Sequence, residues 1–150
     1  MQWNNKYIYP KSTRSIFQGS RHYSVNQENL PSVTTILKAT ESDEKKAKLE
    51  EWKKRVGYKQ AEVISREATS RGSSMHDYLE KFLLGKLNMD LLGDNTREKM
   101  MADQIIENGL RDKLSEIWGC EATLYYPGKY AGAADCIGVY ENKETIIDFK

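Results

Sequence analysis

The stretch GAADCIGVYENKETIIDFK, residues 132–150, decides the fold class that we expect for this chain of 150 residues. Two runs rich in β-branched and aromatic residues flank a polar turn at 141–142, which is typical of a β-hairpin. With a two-residue loop, Tyr140 pairs with Lys143. A three-residue loop would move the pairing by one position unless a bulge restored it.

Outward from this hairpin, the character of the sequence changes at Gly119. The residues after it predict three strands, over 121–126, 131–140 and 145–150. A turn at Pro127-Gly128 separates the first two of them. The residues before it predict a short element capped by Ser32 and then three helices, at about 42–56, 59–84 and 95–118. Helices followed by an antiparallel three-stranded meander indicate an α+β fold. We expect one domain over 1–150, divided into an N-terminal arm (1–40), helices (41–118) and strands (119–150).

Apolar residues recur at helical spacing in the second and third of these helices. In the helix at 59–84 they are Ile64, Ala68, Met75, Leu79, Phe82 and Leu83. In the helix at 95–118 they are Met101, Ile105, Leu110, Leu114 and Ile117. We expect these side chains to form the core.

Composition and charge limit how this protein could bind nucleic acid and where in the cell it could act. The net charge is +1, so nucleic-acid affinity has to come from local patches or a metal rather than from bulk charge. Cys120 and Cys136 lack metal-finger spacing, and we interpret them as reduced thiols. No apolar run approaches the roughly 18 residues that span a bilayer. We expect a cytoplasmic protein, with a mitochondrial location as the minor alternative because residues 1–27 lack acids.

The acid-free N-terminal stretch also combines basic residues with aromatic ones, among them Lys6, Arg14, Tyr7 and Phe17. Such a mixture can hold phosphates and stack bases. A surface segment whose aromatic rings anchor it to the core explains the same pattern, and we favour it.

The chemistry of the hairpin lies in its carboxylates. The two-residue loop places Asp135 directly opposite Asp148, where like charges destabilise a sheet. A bound Mg²⁺ or Mn²⁺ would relieve this repulsion. Lys150 lies on the same strand face as Asp148, and Phe149 on the other. The alternative is a solvated polar face with an incidental ion pair, but the run Ile146, Ile147 and Phe149 favours a buried strand, where unpartnered carboxylates are rare.

A second group of candidates lies on the long helix. Gly72 and His76 share one face, and a glycine inside a helix hints at a close approach of another backbone. His76 could bind a metal and Arg71 a phosphate, although a lone helical histidine is more often a surface or core residue. Glu121, at the start of the first predicted strand, is a third candidate carboxylate or a solvated strand end.

The run from Asp135 to Asp148-Phe-Lys150 resembles the D-x(n)-(D/E)-x-K signature of PD-(D/E)XK nucleases. The gap between the aspartates and the Gly72-to-His76 spacing look like the RecB-like branch. The segments RHYSV (21–25) and LPSVTTIL (30–37) are similar to the front end of phage exonucleases related to the mitochondrial genome maintenance exonuclease.

The resemblance implies a site and a reaction. Metal ligands would be His76, Asp135, Asp148 and the Phe149 carbonyl, with Lys150 assisting the attacking water. Glu121 would be a further catalytic carboxylate, and Arg71 and Gly72 would contact the substrate. The reaction would be Mg²⁺- or Mn²⁺-dependent hydrolysis of DNA, single-stranded or with free ends, in phage DNA processing, replication or recombination.

Family members continue past the lysine with a helix and another strand, so we expect the chain to be a truncated domain with an incomplete PD-(D/E)XK core. Two other functions stay open. One is a catalytically inactive DNA-binding or assembly module that retains the nuclease framework. The other is an α+β interaction domain, which Asp135 and Asp148 on opposite faces would favour.

Overall fold

The structure, a computed structural model, describes residues 1–86 and 96–150. These residues form four α-helices and two β-sheets, which confirms a mixed α+β fold. The strands are β1 (Gln2–Trp3), β2 (Ser12–Phe17), β3 (Ser20–Val25), β4 (Glu28–Pro31), β5 (Leu114–Tyr126), β6 (Tyr130–Tyr140) and β7 (Lys143–Ile147). The helices are α1 (Val33–Ala39), α2 (Asp43–Val56), α3 (Tyr58–Leu83) and α4 (Arg97–Ile105), the last continued by a π-helical turn over Ile106–Leu110.

The chain divides into two compact units. The first contains residues 1–9, 70–122 and 133–150. The second contains residues 10–69 and 123–132. The described helices include none that is long and apolar enough to cross a membrane.

The hairpin of β6 and β7 has the predicted register, antiparallel with Tyr140 opposite Lys143. Glu141 and Asn142 both have positive φ, of 46° and 63°, as a two-residue type I′ turn requires. The ladder ends at the pair of Cys136 and Ile147. The predicted strand 145–150 is therefore displaced, since β7 spans Lys143–Ile147 and is the last strand in the order β1-β5-β6-β7. The predicted burial is wrong for Ile146, which is exposed, whereas Ile147 is half-buried and Phe149 is buried.

The core of the first unit is built on the C-terminal part of α3. Met75, Leu79 and Leu83 follow one another at helical spacing and are buried. They pack with buried residues of the neighbouring elements, namely Ala102, Ile106, Leu110, Leu114, Ile117, Cys136 and Phe149. The same stripe does not extend to the start of the helix as predicted, since Ile64 and Ala68 are exposed.

The predicted helix over 95–118 is wrong in its second half. The helical turns end at Leu110, and β5 begins at Leu114. Asp112, with φ of 64°, makes the break, because aspartate tolerates the left-handed conformation better than most residues. Leu110, Leu114 and Ile117 have helical spacing, but pairing of β5 with β1 and β6 overrides that local pattern. Asn95, the predicted first residue of the helix, lies outside the described residues.

The second unit contains a sheet where the sequence predicted only an arm. Strands β2, β3 and β4 are antiparallel, and both connecting turns have positive φ at two successive residues, Gln18-Gly19 and Asn26-Gln27. Tyr23, Val25 and Leu30 of this sheet form a small core with Ala131. The prediction for the next element is confirmed, because Ser32 caps α1 by accepting a hydrogen bond from the Thr35 N–H at 3.0 Å.

Candidate metal centre

Helix α3 positions the candidate histidine. His76 follows the buried Met75 and is itself half-buried, at the border of the apolar stripe. Its imidazole meets the Phe149 ring edge to face, with 6.2 Å between the ring centroids. Because Phe149 is buried in the core, this contact limits the positions open to the imidazole.

Strand β5 supplies Glu121 through an unusual backbone conformation. Glu121 has φ of 48°, in the left-handed region that few non-glycine residues adopt. Such a conformation costs on the order of 1–3 kcal/mol and is retained where the surrounding structure enforces it. The burial pattern of β5 also departs from strict alternation, because Ile117, Trp118 and Gly119 are buried in succession.

Strand β6 supplies Asp135, the most enclosed carboxylate of the group, with a side chain only 14% exposed. Its Oδ2 accepts a hydrogen bond from the Phe149 N–H at 2.7 Å. The same oxygen lies 3.6 Å from His76 Nδ1. The backbone bond fixes the carboxylate, which presents its charge to the imidazole.

His76, Glu121 and Asp135 converge. One ligand atom from each lies within 4.8 Å of the other two. These three candidates from distant positions in the sequence therefore meet, and all of them belong to the first unit.

Asp148 and Lys150 form a separate contact. Lys150 Nζ donates to Asp148 Oδ2 at 2.8 Å, and the Asp148 side chain is 63% exposed. The hydrogen bond and charge of Asp148, with a smaller effect of Asp135, raise the pKa of the Lys150 ammonium. The three-residue cluster among the described residues does not include Asp148.

Gly72, one turn before His76 on α3, does not show the expected close approach among the described residues. Gly72 was expected to permit a close approach, but a Cβ added there would meet no described atom within 4 Å. Arg71 and Gly72 are half-buried, and their contact with a substrate remains a prediction, as does the part of the Phe149 carbonyl.

Burial and nearby negative charge both raise the pKa of the two cysteine thiols. Burial, Cys136 and the carboxylates of Glu80, Glu121 and Asp135 raise the pKa of the Cys120 thiol to about 12. Burial and Asp135 raise the pKa of Cys136 to about 11. Both side chains are therefore neutral thiols at neutral pH, so the candidate metal donors of this cluster are carboxylate oxygens and an imidazole nitrogen.

Glu80 is a charged neighbour that the sequence reasoning did not single out. It lies four residues after His76 on α3, so the two share a helix face. Its charge acts on Cys120 together with those of Glu121 and Asp135. The spacing His76-x-x-x-Glu80 is the sequence feature from which Glu80 could have been predicted to lie near His76.

Comparison with known proteins adds an independent observation. No family model matches the chain. Over 131 residues it is 30% identical to the mitochondrial genome maintenance exonuclease 1 of Mus musculus, covering 84% of this chain and 38% of the mouse protein. It is 27% identical over 126 residues to the Homo sapiens protein of the same name, covering 81% of this chain and 36% of the human protein.

The similarity supports a relationship to nucleases. The chain spans less than two fifths of the length of these curated relatives. The aligned part thus covers most of this chain but a minority of each named exonuclease.

Proposed function

We propose that this chain is a metal-dependent deoxyribonuclease domain of the PD-(D/E)XK type, in its RecB-like branch, and that it acts as an exonuclease. The observation that carries the proposal is the convergence of His76, Glu121 and Asp135 within 4.8 Å. The similarity to two proteins named as exonucleases supports the same conclusion.

The donor set fits a divalent cation. An octahedral ion with ligands at about 2.1 Å places neighbouring ligand atoms roughly 3 Å apart. The 3.6 Å between His76 Nδ1 and Asp135 Oδ2 is near that spacing, and small side-chain rotations of Glu121 would complete it. Carboxylates suit Mg²⁺ and Mn²⁺, while the imidazole favours a transition metal, so Mn²⁺ is the preferred ion.

The bound ion would polarise the phosphodiester and provide a water nucleophile at neutral pH. Asp135 would be held in place by the Phe149 N–H. Lys150 would be cationic at neutral pH, because an ordinary lysine side chain has a pKa of about 10.4, and it would offset negative charge that develops on the phosphate. Asp148 would join the ligands after release from Lys150, with the Phe149 carbonyl beside it.

The proposed substrate is DNA, single-stranded or with free ends, with Arg71 and Gly72 contacting the backbone near His76. A single domain acting in phage DNA processing in the host cytoplasm is the setting that the family resemblance implies.

The test combines metal binding with cleavage. Mn²⁺ is titrated into the protein by calorimetry, and end-labelled single- and double-stranded DNA is incubated with the same samples. His76→Ala, Glu121→Gln and Asp135→Asn should each weaken Mn²⁺ binding by about 10–100-fold or more and reduce cleavage. Asp77→Asn is the matched control, because Asp77 is an exposed carboxylate on the same helix that pairs with Lys81.

Unchanged Mn²⁺ affinity in all three variants would overturn the metal site. The second candidate function, an inactive DNA-binding module, is favoured by the ion pair that occupies both Asp148 and Lys150. Its signature is Mn²⁺ and DNA binding by the wild-type protein with no cleavage of either DNA.

A further inference from the structure

The hairpin that joins β5 to β6 ends in a tight turn of the second unit. The Lys129 N–H donates to the Tyr126 carbonyl at 3.0 Å, and Gly128 has φ of 70°. Pro127 precedes this glycine, as in a type II turn. The turn therefore places Tyr126 and Tyr130 on either side of the hairpin end.

The two tyrosine rings are close together and open to solvent. Tyr126 is 55% and Tyr130 41% exposed. Their ring centroids are 5.9 Å apart, and the planes are tilted by 33°. Lys129 Nζ lies 5.7 Å from the centroid of Tyr126, so a positive charge adjoins the aromatic pair.

The inner side of the same hairpin is anchored. Tyr125 packs against the core of the second unit, and its Oη accepts a hydrogen bond from Asn26 Nδ2 at 2.6 Å. The Gly128 N–H donates to Glu28 Oε1 at 2.9 Å. Because strand residues alternate, a fixed Tyr125 holds its neighbour Tyr126 facing outward. The exposed pair therefore stands on a supported turn.

We propose that Tyr126 and Tyr130 form a stacking platform for unpaired nucleobases, with Lys129 contacting a neighbouring phosphate. Exposed aromatic side chains next to a cation are the elements with which proteins bind single strands without reading their sequence. This inference rests on the proposed function, because that function makes nucleic acid the partner.

The geometry favours an unpaired strand over a duplex. Successive bases in a stacked strand rise by about 3.4 Å, whereas the two ring centroids are 5.9 Å apart. One base on each ring would have to be unstacked from the next, which a duplex does not allow without distortion. Glu28 is an acidic neighbour of this turn, and its hydrogen bond from the Gly128 N–H directs one carboxylate oxygen to the backbone.

The experiment measures binding without cleavage. Fluorescence anisotropy with labelled oligothymidylate of about 12 nucleotides is recorded on the full chain in EDTA. Tyr126→Ala and Tyr130→Ala should each weaken binding by about tenfold, while Tyr126→Phe and Tyr130→Phe should retain it. Tyr58→Ala is the matched control, because Tyr58 is a tyrosine of the same unit that is 57% exposed.

Two further comparisons isolate the chemistry. An abasic oligonucleotide of the same length should bind wild-type protein about as weakly as oligothymidylate binds the alanine variants. Lys129→Ala should reduce the slope of log affinity against log salt by about 0.7, the value for one phosphate contact on a single strand. Circular dichroism of every variant establishes that it is folded.

Equal affinities of the wild-type protein and the folded Tyr126→Ala and Tyr130→Ala variants would overturn the platform. So would an equal loss in Tyr58→Ala, or tighter binding of duplex than of single strand. The Mn²⁺ titration tests the proposed function independently of the platform. If the tyrosines bind single strands but the protein has no affinity for Mn²⁺, only the nuclease proposal is contradicted. Metal affinity without ring-dependent binding would contradict the platform alone.

Discussion

At the scale of single residues, two glycines show opposite constraints. A Cβ added at Gly138 on β6 would overlap the Glu116 carbonyl oxygen, so the two strands are too close there for any side chain. Gly72 on α3 has no described atom within 4 Å of such a Cβ. The first glycine is required by strand packing, whereas none of the described atoms restricts a side chain at the second.

We therefore predict that Gly138→Ala lowers the free energy of unfolding by about 1–3 kcal/mol or more, because backbone has to move. Gly72→Ala should raise it by up to about 1 kcal/mol, because alanine favours a helix. Urea denaturation of both variants measures the difference. A neutral Gly138→Ala would contradict the close approach of β5 and β6.

The ionisation of one residue, Glu116, should make the stability of the fold depend on pH. Hydrogen bonds from Trp118 and Asn4, with a smaller effect of Lys6, lower the pKa of this carboxyl. Trp118 Nε1 donates to Glu116 Oε2 at 2.8 Å. A lowered folded-state pKa means that the ionised carboxylate stabilises the fold above the unfolded-state pKa. The stabilisation is lost as the pH falls through the lowered pKa.

The prediction is that the difference in unfolding free energy between wild type and Glu116→Gln is largest at neutral pH and disappears in acid. Denaturation curves at several pH values measure it. Glutamine still accepts hydrogen bonds, so the comparison isolates the charge. A difference that is constant from neutral to acid pH would show that the carboxylate charge has no part in it.

At the scale of elements, the N-terminal strand closes one edge of the four-stranded sheet. β1 pairs in parallel with β5 at Glu116 and Ile117, and Trp3 Nε1 donates to the Leu83 carbonyl at 2.9 Å. Lys6 Nζ lies 3.9 Å from the Trp118 ring centroid and pairs with Glu144 at 2.7 Å. The segment thus covers both a strand edge and an aromatic ring.

Removal of residues 1–9 should expose that edge and promote self-association, measured by sedimentation velocity. The point variant Trp3→Phe should cost about 1 kcal/mol, because it removes one hydrogen bond and keeps a ring. Ile8→Ser serves as the control, since Ile8 is almost fully exposed and should change stability by under about 0.5 kcal/mol. A monomeric truncated protein would contradict a protective role for β1.

At the scale of the whole molecule, the proposed ligands tie distant parts of the chain together. His76, Glu121 and Asp135 come from α3, β5 and β6. An ion that binds the folded state and not the unfolded chain stabilises the fold by mass action. All three residues belong to the first unit, so metal binding would stabilise the folded state of that unit.

We predict that Mn²⁺ at about 100 times its dissociation constant stabilises the wild-type protein by about 2.7 kcal/mol and raises Tm. Asp135→Asn should abolish the increase, and Asp77→Asn should retain it. Differential scanning fluorimetry with and without EDTA measures the shift. An equal rise of Tm in Asp135→Asn would place Mn²⁺ at some other position.

The sequence by itself determined the local features. The sequence predicted the hairpin and, for a two-residue loop, the register that the structure has, with positive φ at both turn residues. The Ser32 cap followed from its residue type, and helices within one residue of 43–56 and 58–83 followed from composition and apolar spacing. These features depend on neighbours in the chain, which a sequence displays directly.

The tertiary structure decided the rest, because long-range pairing outweighs local preference. Leu114 and Ile117 have helical spacing but lie in β5, where neighbouring strands use their backbone hydrogen bonds. The predicted N-terminal arm is partly a three-stranded sheet. Glu121, which has a left-handed conformation, lies near His76 and Asp135, and Asp148 pairs with Lys150. Such convergence is set by how the elements pack, which spacing along the chain does not encode.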